Sequence, residues 1–241
     1  MRITSTLEAR ALGRQIALKV ASCQPADGYD LLAPILAERT PFRLLDLIGE
    51  GLAECPAAEL DPFLSEIAAH ATIGGWTVIA SALRARIPVD LAGTLDWARG
   101  YIIKADTWYA CDCFGERVLG QAVVDQFQPA LRLLSPWRAD ANRWVRRSVG
   151  VAGHLWAKRT RGADEYLSQA VELLNFYKPM LEERQFDAAK GVGWALKTLG
   201  RYYPEVLLNF LKENGNISIA AVIRRKALKF IPEDKKAQLM W

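Results

Sequence analysis

Apolar side chains recur along this chain at the spacing of an α-helix. From Thr4 to Ala21 they fall at Leu7, Ala11, Leu12, Ile16 and Val20, a stripe on one side of a 3.6-residue helix. The same spacing returns over 44–52, 63–71, 78–83, 118–127, 144–156, 166–174, 192–202, 206–211 and 222–230. Breakers stand between these stretches: Pro25 with Gly28, Pro41, Pro56, Pro88, Pro136, Gly162, Pro179, Pro204 and Gly215. Asp164 is placed to cap a helix entered near Tyr166, and Pro204 with Glu205 to open a first turn. No stretch alternates with period two, so the pattern predicts an all-α chain.

The connections are short, which favours antiparallel neighbours. A weak repeat runs through the second half. RWVRRSVGVAGHLW (143–156), AAKGVGWALKTLG (188–200) and AVIRRKALKFI (221–231) each set a basic residue ahead of a small, apolar helical face. The interval from Arg147 to Lys190 to Arg225 suits helix-pair repeats of the HEAT or armadillo kind, which stack into a curved solenoid. An irregular helical bundle is the alternative. In a solenoid, residues just inside each second helix line the concave face. Arg146 or Arg147, Lys190, and Arg224, Arg225 or Lys226 then form a basic track able to follow a phosphate backbone. The expected architecture is a right-handed α-solenoid of HEAT-like helix pairs with a concave basic groove. It forms a single domain over 1–241, in which 1–70 are N-terminal capping helices and 71–235 the repeats.

Charge sharpens this picture. Residues 1–100 carry 9 Lys and Arg against 12 Asp and Glu, whereas residues 101–241 carry 22 against 15. A positive half calls for an acidic partner, of which nucleic acid is the commonest. No apolar run approaches the ~20 residues of a membrane span, and Glu8, Arg10 and Arg14 interrupt the N-terminus where a signal peptide is apolar. The chain is expected in the cytoplasm, without a membrane partner. Its four cysteines read as buried or half-buried thiols. The Cys111-x-Cys113 pair, with only His70 and His154 elsewhere, is too sparse for zinc, so no metal and no cofactor are expected.

Four segments go beyond architecture: DTWYACD (106–112), NRWVRRSVGVAGHLW (142–156), AKGVGWALKTLGRYYPEVLLNFL (189–211) and AVIRRKALKFI (221–231). In order, content and spacing they resemble the AlkD-type DNA alkylation-repair glycosylases, built of HEAT-like helix pairs, over roughly residues 70–235. The Lys-x-x-Gly-Trp-Ala-Leu run followed by Tyr-Pro-Glu is the most specific part. The resemblance implies an active groove made by Trp108, Asp112, Trp194 and Arg147. It also implies excision of cationic alkylated purines, 7-methylguanine and 3-methyladenine, from double-stranded DNA. Family members often read Trp-Asp-x-Val-Asp, whereas this chain reads Trp-Tyr-Ala-Cys-Asp, with Tyr109 in place of the first acid.

The chemistry follows from the substrate. Alkylation of a purine ring nitrogen makes the base a cation and a good leaving group. Departure leaves cationic character on the deoxyribose, which a fixed carboxylate stabilises, as in glycoside hydrolysis. One carboxylate suffices, and Asp112 is the candidate. Trp108, one turn earlier, shares its helical face, and with Trp194 offers indole faces to a cationic sugar. Arg147 suits a phosphate as a bidentate fork, while Arg146, Lys190, Arg224, Arg225 and Tyr109 are further candidates for DNA contact. Each has a plainer role: a helical Trp is ordinarily core, Asp112 could cap or face solvent, Arg147 could pair with a neighbouring repeat, and His154 reads as a core histidine. No lysine stands out as a Schiff-base nucleophile, so the expected enzyme is a monofunctional glycosylase acting as a monomer. The alternatives are a non-catalytic HEAT-repeat protein that binds damaged or branched DNA, and a peptide-binding solenoid.

Overall fold

The computed structural model describes residues 3–237 and 239. All regular structure among them is helical, and no helix there is long and apolar enough to cross a membrane. The chain divides into two compact units, 1–118 and 119–241.

The first unit is an alternation of helices in two layers. Helix α1 (Thr6–Ala21) opens on a capping box, in which Ser5 caps the Glu8 amide and Glu8 returns to the Ser5 backbone. It is followed by α2 (Pro25–Ala37), α3 (Phe42–Leu52), α4 (Ala57–Ala69), α5 (Ile73–Arg84), α6 (Leu91–Ala105) and α7 (Trp108–Phe114). Helices α1, α3, α5 and α7 pack successively on one another, and α2, α4 and α6 cover them. That is the arrangement of stacked helix pairs, and it begins within the N-terminal segment. The crossings are close because glycines make them: a Cβ on Gly49 would lie 2.4 Å from the Val78 carbonyl oxygen. Leu47, Ile48, Phe63, Trp76 and Phe114 fill the space between the layers.

The second unit repeats the scheme with α8 (Gln121–Asp125), α9 (Phe127–Leu134), α10 (Arg143–Thr160), α11 (Leu167–Tyr177), α12 (Phe186–Tyr202), α13 (Pro204–Glu213), α14 (Ala221–Ala227) and α15 (Glu233–Lys236). Here α8, α10, α12 and α14 form the stacked layer, while α11 packs on α13 outside it. Trp156 and Tyr177 are fully buried, and the Tyr177 hydroxyl donates to the Val149 carbonyl at 2.8 Å. The helix-pair solenoid expected from the repeat is thus present in each unit.

Three local expectations are corrected. The helix read over 118–127 is not continuous. A π-helical turn (Gly115–Gly120) leads into α8, and Gln126 (φ −138°, ψ 62°) breaks the chain before α9, because apolar spacing alone does not distinguish one helix from two in register. Asp164 does not cap; it is the first residue of a 3-10 turn over Asp164–Tyr166. Cys23 is exposed rather than buried, since it occupies a left-handed turn (φ 58°) between α1 and α2; the other three thiols are buried.

One polar network ties the π-helical turn after α7 to the stack. Arg117 Nε donates to Asp46 Oδ1 at 2.6 Å, and the Ser81 hydroxyl donates to the same oxygen at 2.8 Å. The two charged side chains are only 14% and 17% exposed. Asp46→Ala strands a guanidinium in this setting. It is expected to cost about 2 kcal/mol, somewhat less than the roughly 3–5 kcal/mol of a fully enclosed pair. Urea denaturation followed by circular dichroism measures it; a loss under about 0.5 kcal/mol would mean that water replaces the carboxylate.

Candidate active site

Helix α7 is built to present two side chains. The backbone leaves α6 through Asp106 in the left-handed region (φ 42°, ψ 41°), a conformation aspartate tolerates better than most residues. Thr107 is extended, and the next helix starts at once with Trp108. Ala110, Cys111, Cys113 and Phe114 turn inward. Phe114 is the anchor, stacked on Tyr101 at 5.8 Å and 7° and meeting Trp76 edge-on at 6.2 Å. Burial pushes the Cys113 thiol up, so it stays protonated and packs as a small apolar group. The face left over carries Trp108 and Asp112, four residues apart. Trp108 is 58% exposed, more than any other described tryptophan, and Asp112 is half-buried. Tyr109, also half-buried, sets its ring against that of Trp108 at 5.9 Å and 86°. At that exposure the Trp108 ring stands outside the core. Among the described residues no group of three or more His, Cys, Asp or Glu is arranged to hold a metal.

The second unit carries the other candidates on α10, α12 and α14. Helices α10 and α12 cross in backbone contact: a Cβ on Gly150 would lie 2.2 Å from the Gly191 carbonyl carbon, and one on Gly191 would lie 2.4 Å from the Arg147 carbonyl oxygen. This crossing brings Arg147 and His154 beside Lys190 and Trp194. Arg147 is only 8% exposed and donates through Nη1 to the Asp187 carbonyl at 3.3 Å. Lys190 places Nζ 4.2 Å from the centre of the exposed Phe186 ring. Trp194 is half-buried and stacks on His154. Lys226 of α14 lies across Gly193, its Cδ 2.7 Å from where a Cβ would be. Burial, followed by the charges of Lys197, Arg147, Lys190 and Arg225, pushes the Lys226 ammonium below its ordinary range. Lys226 therefore lies within electrostatic reach of cations on α10, α12 and α14, and Lys190 and Lys197 share the α12 face of Trp194 by their spacing.

Two candidates stand apart from that group. Arg146 is occupied by Glu183 (Nε to Oε2 2.6 Å) and by the Asp140 carbonyl (2.6 Å), with the ion pair largely buried. It ties α10 to the turn before α12. Arg224 is exposed on α14. Lys197, absent from the basic track expected from the repeat, shares the face of Lys190 and Trp194, as its spacing from them (i+7 and i+3) implies. His154, expected as a core histidine, is buried as such, but its ring covers Trp194.

A protein-family model described as DNA alkylation repair enzyme matches residues 77–231. No curated protein and no solved structure matches the chain. The matched region runs from within α5 to the turn after α14 and contains both the outward face of α7 and the basic, tryptophan-bearing face of α12. It spans more than half of the sequence, and the chain belongs to the DNA alkylation repair enzyme family.

Proposed function

We propose that this protein is a monofunctional DNA glycosylase. It hydrolyses the N-glycosidic bond of cationic alkylated purines such as 7-methylguanine and 3-methyladenine in duplex DNA and leaves an abasic site. The observation that carries the reading is the outward pairing of Trp108 with Asp112 on a helix whose other side is locked into the core. Asp112 stabilises the cationic sugar as the base departs, and the departing base, already charged, needs no proton. Trp108 and Trp194 offer ring faces to positive charge. Arg147, Lys190 and Arg225, with Lys197 and Lys226, neutralise backbone phosphates, so binding is indifferent to sequence and sensitive to salt. Discrimination comes from the leaving group, since a neutral base departs too slowly to benefit from one carboxylate. The protein acts as a monomer.

The test is release of free bases from methylated duplex DNA, separated by chromatography, beside duplex binding across a salt series. Release of 7-methylguanine or 3-methyladenine supports the reading. Binding without release makes the chain a binder of damaged or branched DNA, the reading left open by Tyr109 in place of the family's first acid. Lys190→Ala and Arg225→Ala should each lower the slope of log K against log salt by about 1. Slopes unchanged in both variants would take phosphate contact away from this face.

A further inference from the structure

The ring of His154 lies on the indole of Trp194 with centroids 4.1 Å apart and planes 22° from parallel. Its Nδ1 is 2.7 Å from the Thr198 hydroxyl, and that hydroxyl donates to the Trp194 carbonyl at 3.0 Å. A hydroxyl carries one proton. With that proton on the carbonyl, Nδ1 is the donor to Thr198, and Nε2 is the nitrogen without hydrogen in the neutral ring. The imidazole thus fixes the indole from below and reads the backbone turn beneath it. Two cations act on it directly, Lys158 on its own helix and Lys197 on α12, and beyond Lys197 lies the Lys226 ammonium of α14. Burial, then Lys158 and Lys197, push the imidazole down to about 4.

We propose that His154 is a positioning residue for Trp194 that must stay neutral, leaving the indole's π charge to a cationic substrate. The inference rests on the glycosylase reading. An indole attracts a cation through its ring face, and both faces draw on the same π electrons. An imidazolium on the covered side would compete with the alkylated purine or the developing sugar cation for that attraction. A neutral imidazole supplies the stacking without the competition. Lys197, one of the cations that draw phosphate to this face, thereby joins burial and Lys158 in keeping the ring beneath Trp194 uncharged.

The chain contains two histidines, His70 and His154, so each ring proton can be followed by NMR, with His154→Gln assigning the signals. Release of 7-methylguanine is measured in parallel under single-turnover, DNA-saturating conditions, corrected for spontaneous depurination. We expect His154→Ala to slow release roughly tenfold or more, as small misplacements of catalytic groups do, with duplex affinity little changed. His154→Phe, which restores a flat ring, recovers most of the rate at neutral pH. Lys158→Gln removes a repelling charge and raises the pH at which His154 titrates; the acid limb of the release rate then moves up with it. A merely structural histidine would not couple the two midpoints. Full activity in His154→Ala, or an acid limb that ignores Lys158→Gln while the NMR midpoint moves, overturns the inference and leaves the glycosylase reading intact. A wild type that releases no base removes both.

Discussion

Asp112→Asn is expected to lower the rate of base release by roughly 10²–10³-fold, the loss typical of removing one preorganised stabilising group, while duplex binding at low salt stays within about threefold. The asymmetry is the point. Asparagine keeps the size and much of the hydrogen-bonding capacity of aspartate but not its charge, and only the charge answers the cation that forms on the sugar. A neutral amide still lets the alkylated base leave by its own lability, so residual activity above the uncatalysed rate is expected. Folding is not at stake. Asp112 is half-buried on the face of α7 opposite Phe114, and asparagine and aspartate have similar helix propensities. If the variant retains more than about a tenth of the wild-type rate, the developing charge is met elsewhere and Asp112 is not the stabilising carboxylate.

The largest effect on stability is expected at Gly191. Gly191→Ala should lose on the order of 4 kcal/mol, above the usual ~1–3 kcal/mol of overpacking, because the new methyl meets backbone rather than a side chain that can swing away. Its Cβ would stand 2.4 Å from the Arg147 carbonyl oxygen and 2.9 Å from the Arg147 Cα. Helix propensity pulls the other way by about 1 kcal/mol, so the sign of the change is informative in itself. A thermal midpoint lower by roughly 10 °C says that α10 and α12 touch at backbone distance. An unchanged or raised midpoint would show that the crossing is looser. The same substitution pushes Arg147 and His154 away from Lys190 and Trp194, so release of alkylated bases should fall even where the variant remains folded.

These two positions differ in how visible they are along the chain. Trp108 and Asp112 can be paired from sequence, because four residues of helix always place two side chains on one face. What sequence could not decide was which way that face points. Trp108 is one of eight tryptophans; Trp76, Trp144 and Trp156 are buried on α5 and α10, and Trp137 is buried in a 3-10 turn over Pro136–Ala139. The stacking of Phe114 on Tyr101, rather than any local signal, turns Trp108 outward. Gly191 is legible only as a small residue; that it makes a backbone contact depends on Gly150, 41 positions away.

By itself the sequence determined the helical class, the helix-pair repeat and the family, because these rest on local periodicity and on short motifs whose residues lie within a turn or two of each other. It also placed Arg147, Lys190 and Arg225 at equivalent positions, five residues into α10, α12 and α14, although in the short α14 that position is already the last turn. Tertiary structure alone decided the rest. Arg146 and Arg147 are neighbours in sequence but about 100° apart around a helix. One therefore meets Glu183, while the other reaches toward Asp187 beside the cations around Trp194. The break at Gln126 and the π-helical turn after α7 leave no trace in apolar spacing. Residues 1–70 carry none of the four family-like segments, yet they pack as layered helices, because burial of an apolar stripe requires a partner stripe and not a particular sequence. The covering of Trp194 by His154 joins residues 40 apart. Only the packing of two helices brings such residues into contact, and no local pattern encodes it.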